Sequence, residues 1–379
     1  MIVLGIIITL LYTLLIGSLS IGISIIKPFT LNGTTPKTKF SIIIPFRNEA
    51  EHLPHLLHSI FKLKYPKALF EVILVDDDSK DGSTEIIKNS INNANGDLTL
   101  TSIRVIPNER HTNAPKKDAI TTGIKAAKHE WIITTDADCT PPKYWLDSFD
   151  AFIQHTTSVC IAAPVTYHNN PAFLSRFQLL DILSLQGATM GGFGLNRPFL
   201  CNGANFAYTK KVFYDVKGFE GNTAIASGDD IFLLEKIIKK HPKTVHYLKC
   251  KNAIVHTHPQ PTWKTLILQR MRWAAKTSNY NNSLGKLTGI LVFLMNALIL
   301  TLPIIAIVGW VHIKIWLCAL SIKLLLDVLI LYKTSVFFNQ QKALQSFLTS
   351  FFIYPFFSVY VAVLSLFKDY QWKGRTFKR

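Results

Sequence analysis

Charge is distributed very unevenly along this chain, and that limits its fold more than any single motif. From Met1 to Ile26 there is no charged residue, and a second apolar block begins near Leu287 and runs almost to the end. About 20 apolar residues are enough for a helix to cross a bilayer. Val3 to Ile26 therefore reads as a transmembrane anchor, and Leu287 to Val311, Ile315 to Tyr332 and Ala343 to Phe367 as three C-terminal membrane segments. A cleaved signal peptide fits worse: there is no basic n-region, the run is too long, and no A-x-A site follows. Lys27, Lys37 and Lys39 follow the first segment, so the positive-inside rule places the N-terminus outside and the polar middle in the cytosol. Four full spans would then leave the basic tail (Lys368, Lys373, Arg375, Lys378, Arg379) outside, against the same rule. The segment carrying Pro355 is accordingly the one expected to be re-entrant or interfacial. Lys323 and Asp327 lie one helical turn apart, where an ion pair makes them tolerable inside a membrane. The expected division is an anchor at 1–28, a soluble domain at 38–283, a membrane region of two or three spans at 284–367 and a basic cytosolic tail at 368–379.

The balance of 41 Lys+Arg against 24 Asp+Glu, a net +17, suits nucleic acid, an anionic membrane surface or a phosphorylated substrate. Nucleic acid is the poorest of these: no zinc spacing, basic helix with interleaved aromatics or other nucleic-acid motif is present. Cys139, Cys160, Cys201, Cys250 and Cys318 are scattered without paired spacing, which fits a reducing compartment. Cys139 reads as a packing residue rather than a nucleophile.

The polar middle alternates short apolar runs with helical stretches. Phe40 to Pro45, Phe70 to Val75, Leu98 to Ile106 and Glu130 to Thr135 read as buried strands. Helices are expected from Arg47 through Ile60, from Glu85 to Ser90 capped by Ser83, and from Asp118 to His129. Continuous apolar strands alternating with helices predict an α/β fold, a mostly parallel sheet covered on both faces. Ligands of such sheets sit beyond the carboxyl ends of the strands, and two acidic clusters, Asp76 to Asp78 and Asp136/Asp138, fall there. Paired carboxylates repel unless a cation or proton sits between them, and Mg²⁺ or Mn²⁺ takes oxygen ligands from one or two carboxylates and a substrate's phosphates. Farther on, Phe173 to Gln186 is amphipathic, fitting a helix packed on the sheet or one lying in the membrane interface. Gly191 to Gly194 reads as a flexible loop, Cys201 to Tyr208 as a glycine-relieved strand, and Ser227-Gly228-Asp229-Asp230 as the start of a helix through Ile238. Val255-His256-Thr257-His258-Pro259 suits a loop near an acceptor better than a metal site.

Taken in order, FSIIIPFRNEAEHL, VILVDDDSKDGS, TTDADCTPP, CNGANFAYTKKVFYDVKGF, ASGDDIFLLEKI and QRMRW resemble the family 2 inverting glycosyltransferases of GT-A fold. The closest likeness is to the membrane-embedded branch with a Q-x-x-R-W motif, which includes ceramide glucosyltransferases and processive polysaccharide synthases. The resemblance covers about Thr38 to Ser278 and implies a Rossmann-like, mixed but mostly parallel sheet. It also implies roles. Pro45 and Glu49 position the donor nucleotide, and Asp76 and Asp77 contact its uridine, with Asp78 standing where the pattern has Gly. Lys116 or Lys117 supplies the lysine before the helix under the nucleotide. Asp138, with Asp136, forms the D-x-D site for a divalent metal on the diphosphate, and Asp136 also reaches the donor. Asp230 is the catalytic base, with Asp229 in the place of the usual Glu. Gln269 and Arg272 hold the diphosphate, and Trp273 and Asn205 face the acceptor.

The function this implies is one-step inverting transfer, with Mg²⁺ or Mn²⁺, from a UDP-linked or related nucleotide sugar to a membrane lipid or lipid-linked acceptor. The enzyme would sit in a bacterial-type inner membrane with its catalytic domain facing the cytosol. The alternatives are a processive polysaccharide synthase of hyaluronan or poly-N-acetylglucosamine type and, behind it, an inactive GT-A scaffold.

Overall fold

The structure, a computed structural model, describes residues 2–93, 103–223, 225, 227–275, 280–372 and 375–377. The chain runs α1 (Ile2–Ile25), β1 (Phe40–Phe46), α2 (Leu53–Phe61), β2 (Phe70–Asp76), α3 (Ser83–Asn93), β3 (Ile103–Pro107), α4 (Pro115–Ala126), β4 (Trp131–Thr134) and α5 (Trp145–His155). It continues through β5 (Cys160–Ala162), β6 (Val165–Tyr167), α6 (Phe173–Gly194), β7 (Phe206–Thr209), α7 (Lys210–Asp215), α8 (Asp229–Lys240), β8 (Val245–Tyr247) and β9 (Val255–Thr257). The last helices are α9 (Trp263–Ala275), α10 (Ser283–Ile307), α11 (Ile313–Phe338) and α12 (Phe347–Phe367). Two compact units emerge: an α/β unit, 27–168 with 201–258, and a helical unit, 1–26 with 169–200 and 259–379.

The α/β unit is built on a sheet in the order β3-β2-β1-β4-β7-β5-β8. Its pairings are parallel except at β7, which runs antiparallel to both β4 and β5. This is the mixed, mostly parallel sheet expected from the sequence. β1, β2 and β4 are largely apolar and buried almost from end to end because both sheet faces are covered. Pro45 survives near the middle of the sheet for a local reason. Ile43 C=O accepts from Thr135 N–H on the β4 side, so two residues on, the missing N–H of Pro45 faces the same side, past the last β1–β4 pair at Ile43 and Thr134. The C-terminal ends of β1, β2 and β4 form one rim, with Asp76 and Asp136 at its edge.

Several local expectations are corrected. Residues 47–52 are a knot of turns, and α2 begins only at Leu53. Asn48 has φ 49, in the left-handed region. The backbone N–H groups of Asn48, Glu49 and Ala50 donate to Ser79 Oγ (3.1 Å), Ser83 Oγ (2.9 Å) and Asp81 Oδ2 (2.9 Å). Side-chain acceptors thus outcompete a helical ladder there. Ser83 is the first residue of α3, and the carboxylate accepting its N–H at 3.1 Å belongs to Asp81. Of the expected third strand, 98–102 lie outside the described residues, and β3 occupies Ile103–Pro107. Asn205 lies in a single 3-10 turn, Gly203–Asn205, ahead of a strand shorter than expected.

In the helical unit α6 continues through Gly191–Gly194, where the sequence suggests a loop, and from Phe177 on it is buried on most sides. It packs on α1 and α11. Close packing keeps those glycines helical. A Cβ on Gly22 of α1 would fall 2.2 Å from Gly191 O, and one on Gly194 would fall 1.9 Å from Gly22 O. Small residues allow such backbone contact between apolar helices. We expect Gly22→Ala to destabilise the helical unit by about 1–3 kcal/mol through overpacking. Gly17→Ala, with nothing within 4 Å of its Cβ, should be neutral when both are compared by thermal unfolding in detergent. Among the described residues, four helical segments are long and apolar enough to cross a membrane: Ile2–Ile25, Ser283–Ile307, Ile313–Phe338 and Gln341–Phe367. Pro355 sits inside α12 without breaking it.

Candidate active site

The site forms where the loops after β2 and β4 meet the N-termini of α4 and α8. β4 ends at Thr134, and the next turn presents Asp136 and Asp138. Their carboxylate oxygens lie within 4.8 Å of one another and of Cys139 Sγ. On α4, Lys116 reaches the cluster: its Nζ lies 2.7 Å from Asp136 Oδ1 and 3.3 Å from Asp229 Oδ2. Asp229 and Asp230 open α8 behind Gly228, whose φ of 80 turns the chain sharply into the helix. Their negative charge sits at the positive end of the helix dipole. Asp230 Oδ2 accepts from Gly203 N–H at 3.1 Å and Oδ1 from Ile231 N–H at 2.8 Å, which fixes the direction of its carboxylate. A Cβ on Gly203 would stand 3.0 Å from Asp229 Oδ2 and 3.7 Å from Lys116 Nζ, so glycine is what lets the chain lie this close to the cluster.

The electrostatics follow from one ammonium among several carboxylates. Burial favours a neutral Lys116, but Asp136, Asp229 and Asp230 outweigh it and hold its pKa above the usual lysine value. Burial pushes the Asp136 carboxyl above its ordinary range; Lys116 opposes this, while Asp138 and Asp229 add to it. A further cation beside Asp136 and Asp138 would relieve that repulsion, and their hard oxygens suit Mg²⁺ or Mn²⁺. Burial, and then the charges of Asp138 and Asp136, push the Cys139 thiol well up, and its Sγ lies 3.5 Å from Asp138 Oδ1.

On the β2 side, Asp76 accepts from Ser79 N–H (3.0 Å) and Thr84 Oγ (3.3 Å). Buried Asp77 accepts through Oδ1 from Asn108 Nδ2 (2.8 Å) and Arg110 Nε (2.6 Å). Asp78 has φ 65, a left-handed conformation natural to the glycine of the pattern and tolerated by Asp. Glu49 is half-buried in the turn above, its C=O accepting from His52 and Leu53 N–H.

Some residues singled out in the sequence are placed elsewhere. Lys117, beside Lys116, is buried: its Nζ donates to Asn222 O (2.7 Å) and Ile225 O (2.8 Å) and sits 4.9 Å from the Phe232 ring centre. The two lysines are thus divided between a loop anchor and the carboxylate cluster. Asn205 is fully buried; its Nδ2 donates to Pro164 O and Ala253 O, and its Oδ1 accepts from Trp145 Nε1. Those bonds hold the core together, so Asn205 drops out of the acceptor site. Gln269, Arg272 and Trp273 lie on α9 of the helical unit.

A row of imidazoles near Asp138 is only half visible in the sequence. His52 stacks on His258 (ring centres 5.3 Å apart), and His168 contacts both His258 (5.0 Å) and His256 (5.2 Å). Thr140 Oγ lies 2.9 Å from His168 Nε2. Burial, then the neighbouring His256, His258 and His55, lower the His168 pKa to about 4, so it is neutral near pH 7. Only His256 and His258 had a sequence signal; His52 and His168 arrive from separate loops.

Comparison with known proteins finds two related family models that match the sequence. The model for Glycosyl transferase family 2 matches residues 41–217, and that for Glycosyl transferase family group 2 matches 131–364, more than half the chain. Glycosyltransferase AglE of Haloferax volcanii is 24% identical over 234 residues, 61% of this chain and 70% of that protein. Poly-beta-1,6-N-acetyl-D-glucosamine synthase of Staphylococcus epidermidis is 24% identical over 242 residues, 62% of this chain and 53% of the synthase. The poly(ribitol-phosphate) beta-N-acetylglucosaminyltransferase TarS of Staphylococcus aureus is 32% identical over 124 residues, 32% of this chain and 20% of TarS. The chain therefore spans about half the length of the synthase and a fifth of TarS. In fold it resembles the mannosyltransferase PcManGT of Pyrobaculum calidifontis, solved with GDP-Man and Mn²⁺: TM-score 0.57, 15% identity, 96% of both chains covered.

Proposed function

Because the chain belongs to glycosyl transferase family group 2, we propose that it is a membrane-bound inverting transferase. It moves a sugar from a nucleoside diphosphate to a membrane lipid or lipid-linked acceptor. One observation carries this reading: Asp136 after β4 and Asp229 at the start of α8 converge on the ammonium of Lys116 at the sheet's carboxyl rim.

In this reading the carboxylates divide the work. Asp230 accepts the proton of the acceptor hydroxyl as that oxygen attacks the anomeric carbon from the face opposite the leaving diphosphate. Gly203 and Ile231 N–H keep its oxygens oriented. Asp138, with Asp136, holds a divalent cation, which when bound offsets charge on the diphosphate. Lys116 keeps Asp136 and Asp229 apart in charge and fixes their positions. Asp76, Asp77, Glu49 and Pro45 shape the nucleotide pocket. Arg272, with Gln269, is assigned to the diphosphate through its planar fork and Trp273 to stacking on the acceptor. The resemblance favours UDP, and the GDP-Man carried by the mannosyltransferase neighbour makes GDP-sugars the first competitors.

The test is a donor screen with membranes holding the full chain, followed by mass spectrometry of the lipid extract. One added sugar per lipid supports the proposal. A long polymer would instead favour the processive reading, which the likeness to the poly-N-acetylglucosamine synthase keeps in view. No transfer from any nucleotide sugar would remove both. The neighbouring lysines provide a second check. Lys116→Met should lower kcat/KM by at least about tenfold, the scale of one charged contact to the reacting groups, and also lower the melting temperature, since it leaves Asp136 and Asp229 without their ammonium. Lys117→Met should lower the melting temperature with little change in kcat/KM, because its lost ammonium strands two buried carbonyls. Equal effects from the two variants would contradict the assignment.

A further inference from the structure

The helical unit holds a buried polar cluster to which the proposed chemistry gives no role. Asp181, near the start of α6, has both carboxylate oxygens engaged: Oδ2 accepts from Arg270 Nε of α9 at 2.6 Å, and Oδ1 accepts from Tyr354 Oη of α12 at 3.1 Å. Asp181 and Arg270 are each about 6% exposed. Arg270 is one of the two spacer residues within Q-x-x-R-W. Its Nη1 donates to Gln269 Oε1, and its guanidinium lies 4.1 Å from the Trp273 ring centre. A residue inside the motif thus holds two of the motif's three named side chains and is itself held from α6.

The same face of α6 also fixes the approach to α9. Gln178, one turn before Asp181 and fully buried, donates to Gln260 O (2.9 Å) and accepts from Gln260 N–H (2.7 Å). Phe177 packs its ring 5.0 Å from that of Trp263, the first residue of α9. The chain entering α9 and the helix itself are therefore gripped at successive points.

A buried ion pair is weak evidence for stability, since apolar side chains of similar size often pack as well or better. What the pair supplies is direction. The planar guanidinium meets a carboxylate in few geometries, so the Asp181 contact fixes how α9 is rotated about its axis. We infer that Asp181 is a positioning residue for glycosyl transfer, acting through Arg270 to set how α9 presents Gln269 and Trp273. The inference rests on the transferase reading above, because it takes the α9 motif to serve the reaction.

The experiment uses the full chain in detergent with the donor and acceptor found in the screen. Asp181→Asn keeps the shape and removes the charge, whereas Arg270→Lys keeps the charge and removes the fork, leaving a folded test if the first variant is unstable. Each is expected to lower kcat by about tenfold or more, the scale of misplacing a group by a fraction of an ångström. The donor KM should change less than kcat, since Pro45, Glu49, Asp76 and Asp77, assigned to the nucleotide, lie on other elements. Asp181→Glu should recover part of the loss. In a Trp273→Phe background Asp181→Asn should cost little more, because both changes act on one element. A folded Asp181→Asn or Arg270→Lys protein with kcat within about twofold of the parent overturns the inference, as do losses that simply multiply with Trp273→Phe. An active parent with insensitive variants removes only this inference, whereas a parent that transfers no sugar removes the transferase reading and the inference with it.

Discussion

Replacing Asp230 with Asn is expected to cut turnover by about 10²–10⁴-fold, the usual contribution of a positioned general base. That range corresponds to about 3–5.5 kcal/mol of transition-state stabilisation. The substitution is close to isosteric, so Gly203 N–H and Ile231 N–H can still meet the carboxamide oxygen, although its NH₂ now opposes one of these donors. Folding and donor affinity should therefore hold while kcat falls, which single-turnover transfer and a nucleotide-binding titration measure separately. Asp229→Asn provides the contrast. That carboxylate is nine-tenths buried against Lys116, so its loss should act on the position of the lysine and weaken kcat less. An Asp230→Asn protein that transfers sugar within about tenfold of the parent would rule out Asp230 as the base.

Where a residue's partners lay nearby in sequence or along one strand, the sequence was a good guide. The runs FSIIIP, FEVILV and WIIT are apolar but for Ser41, Glu71 and Thr134 because both sheet faces are covered, and their carboxyl ends necessarily share a rim. The acidic pairs at those ends could be read for the same reason. Features set by distant partners could not. Residues 47–50 have a plausible helical start, but the N–H groups of Asn48, Glu49 and Ala50 are taken by Ser79, Ser83 and Asp81, more than thirty residues away. Gly191–Gly194 has the composition of a loop and is helical because α1 passes at backbone contact. Lys116 and Lys117 are equivalent in sequence. They diverge because side chains one residue apart on a helix point about 100° apart, one toward Asp136 and the other toward the carbonyls of Asn222 and Ile225. Asn205 has the polarity of a binding residue, yet three core groups claim it.

Asp138→Asn should show whether the pair after β4 is a metal clamp or only a charged turn, and binding can settle this without catalysis. The carboxylates of Asp136 and Asp138 repel each other, and among the described residues it is Asp136 that has an ammonium against it, Lys116 at 2.7 Å. A divalent cation therefore gains most beside Asp138, and removing that charge takes away a ligand and half of the attraction. We expect Mn²⁺ affinity, followed by electron paramagnetic resonance in the presence of the nucleoside diphosphate, to fall by at least about a hundredfold, the upper end of what even second-shell changes cost a metal site. Transfer should fall in parallel and recover only in part at high Mn²⁺. Asp136→Asn should weaken Mn²⁺ less and disturb Lys116 more, because its oxygen already serves that lysine. If Asp138→Asn binds Mn²⁺ as the parent does, the cation is held elsewhere, and the charge on the leaving diphosphate must be met by Lys116 and the other cations of the chain. The order of the two variants follows from which carboxylate lies against the ammonium, so a reversed order would place the primary ligand at Asp136.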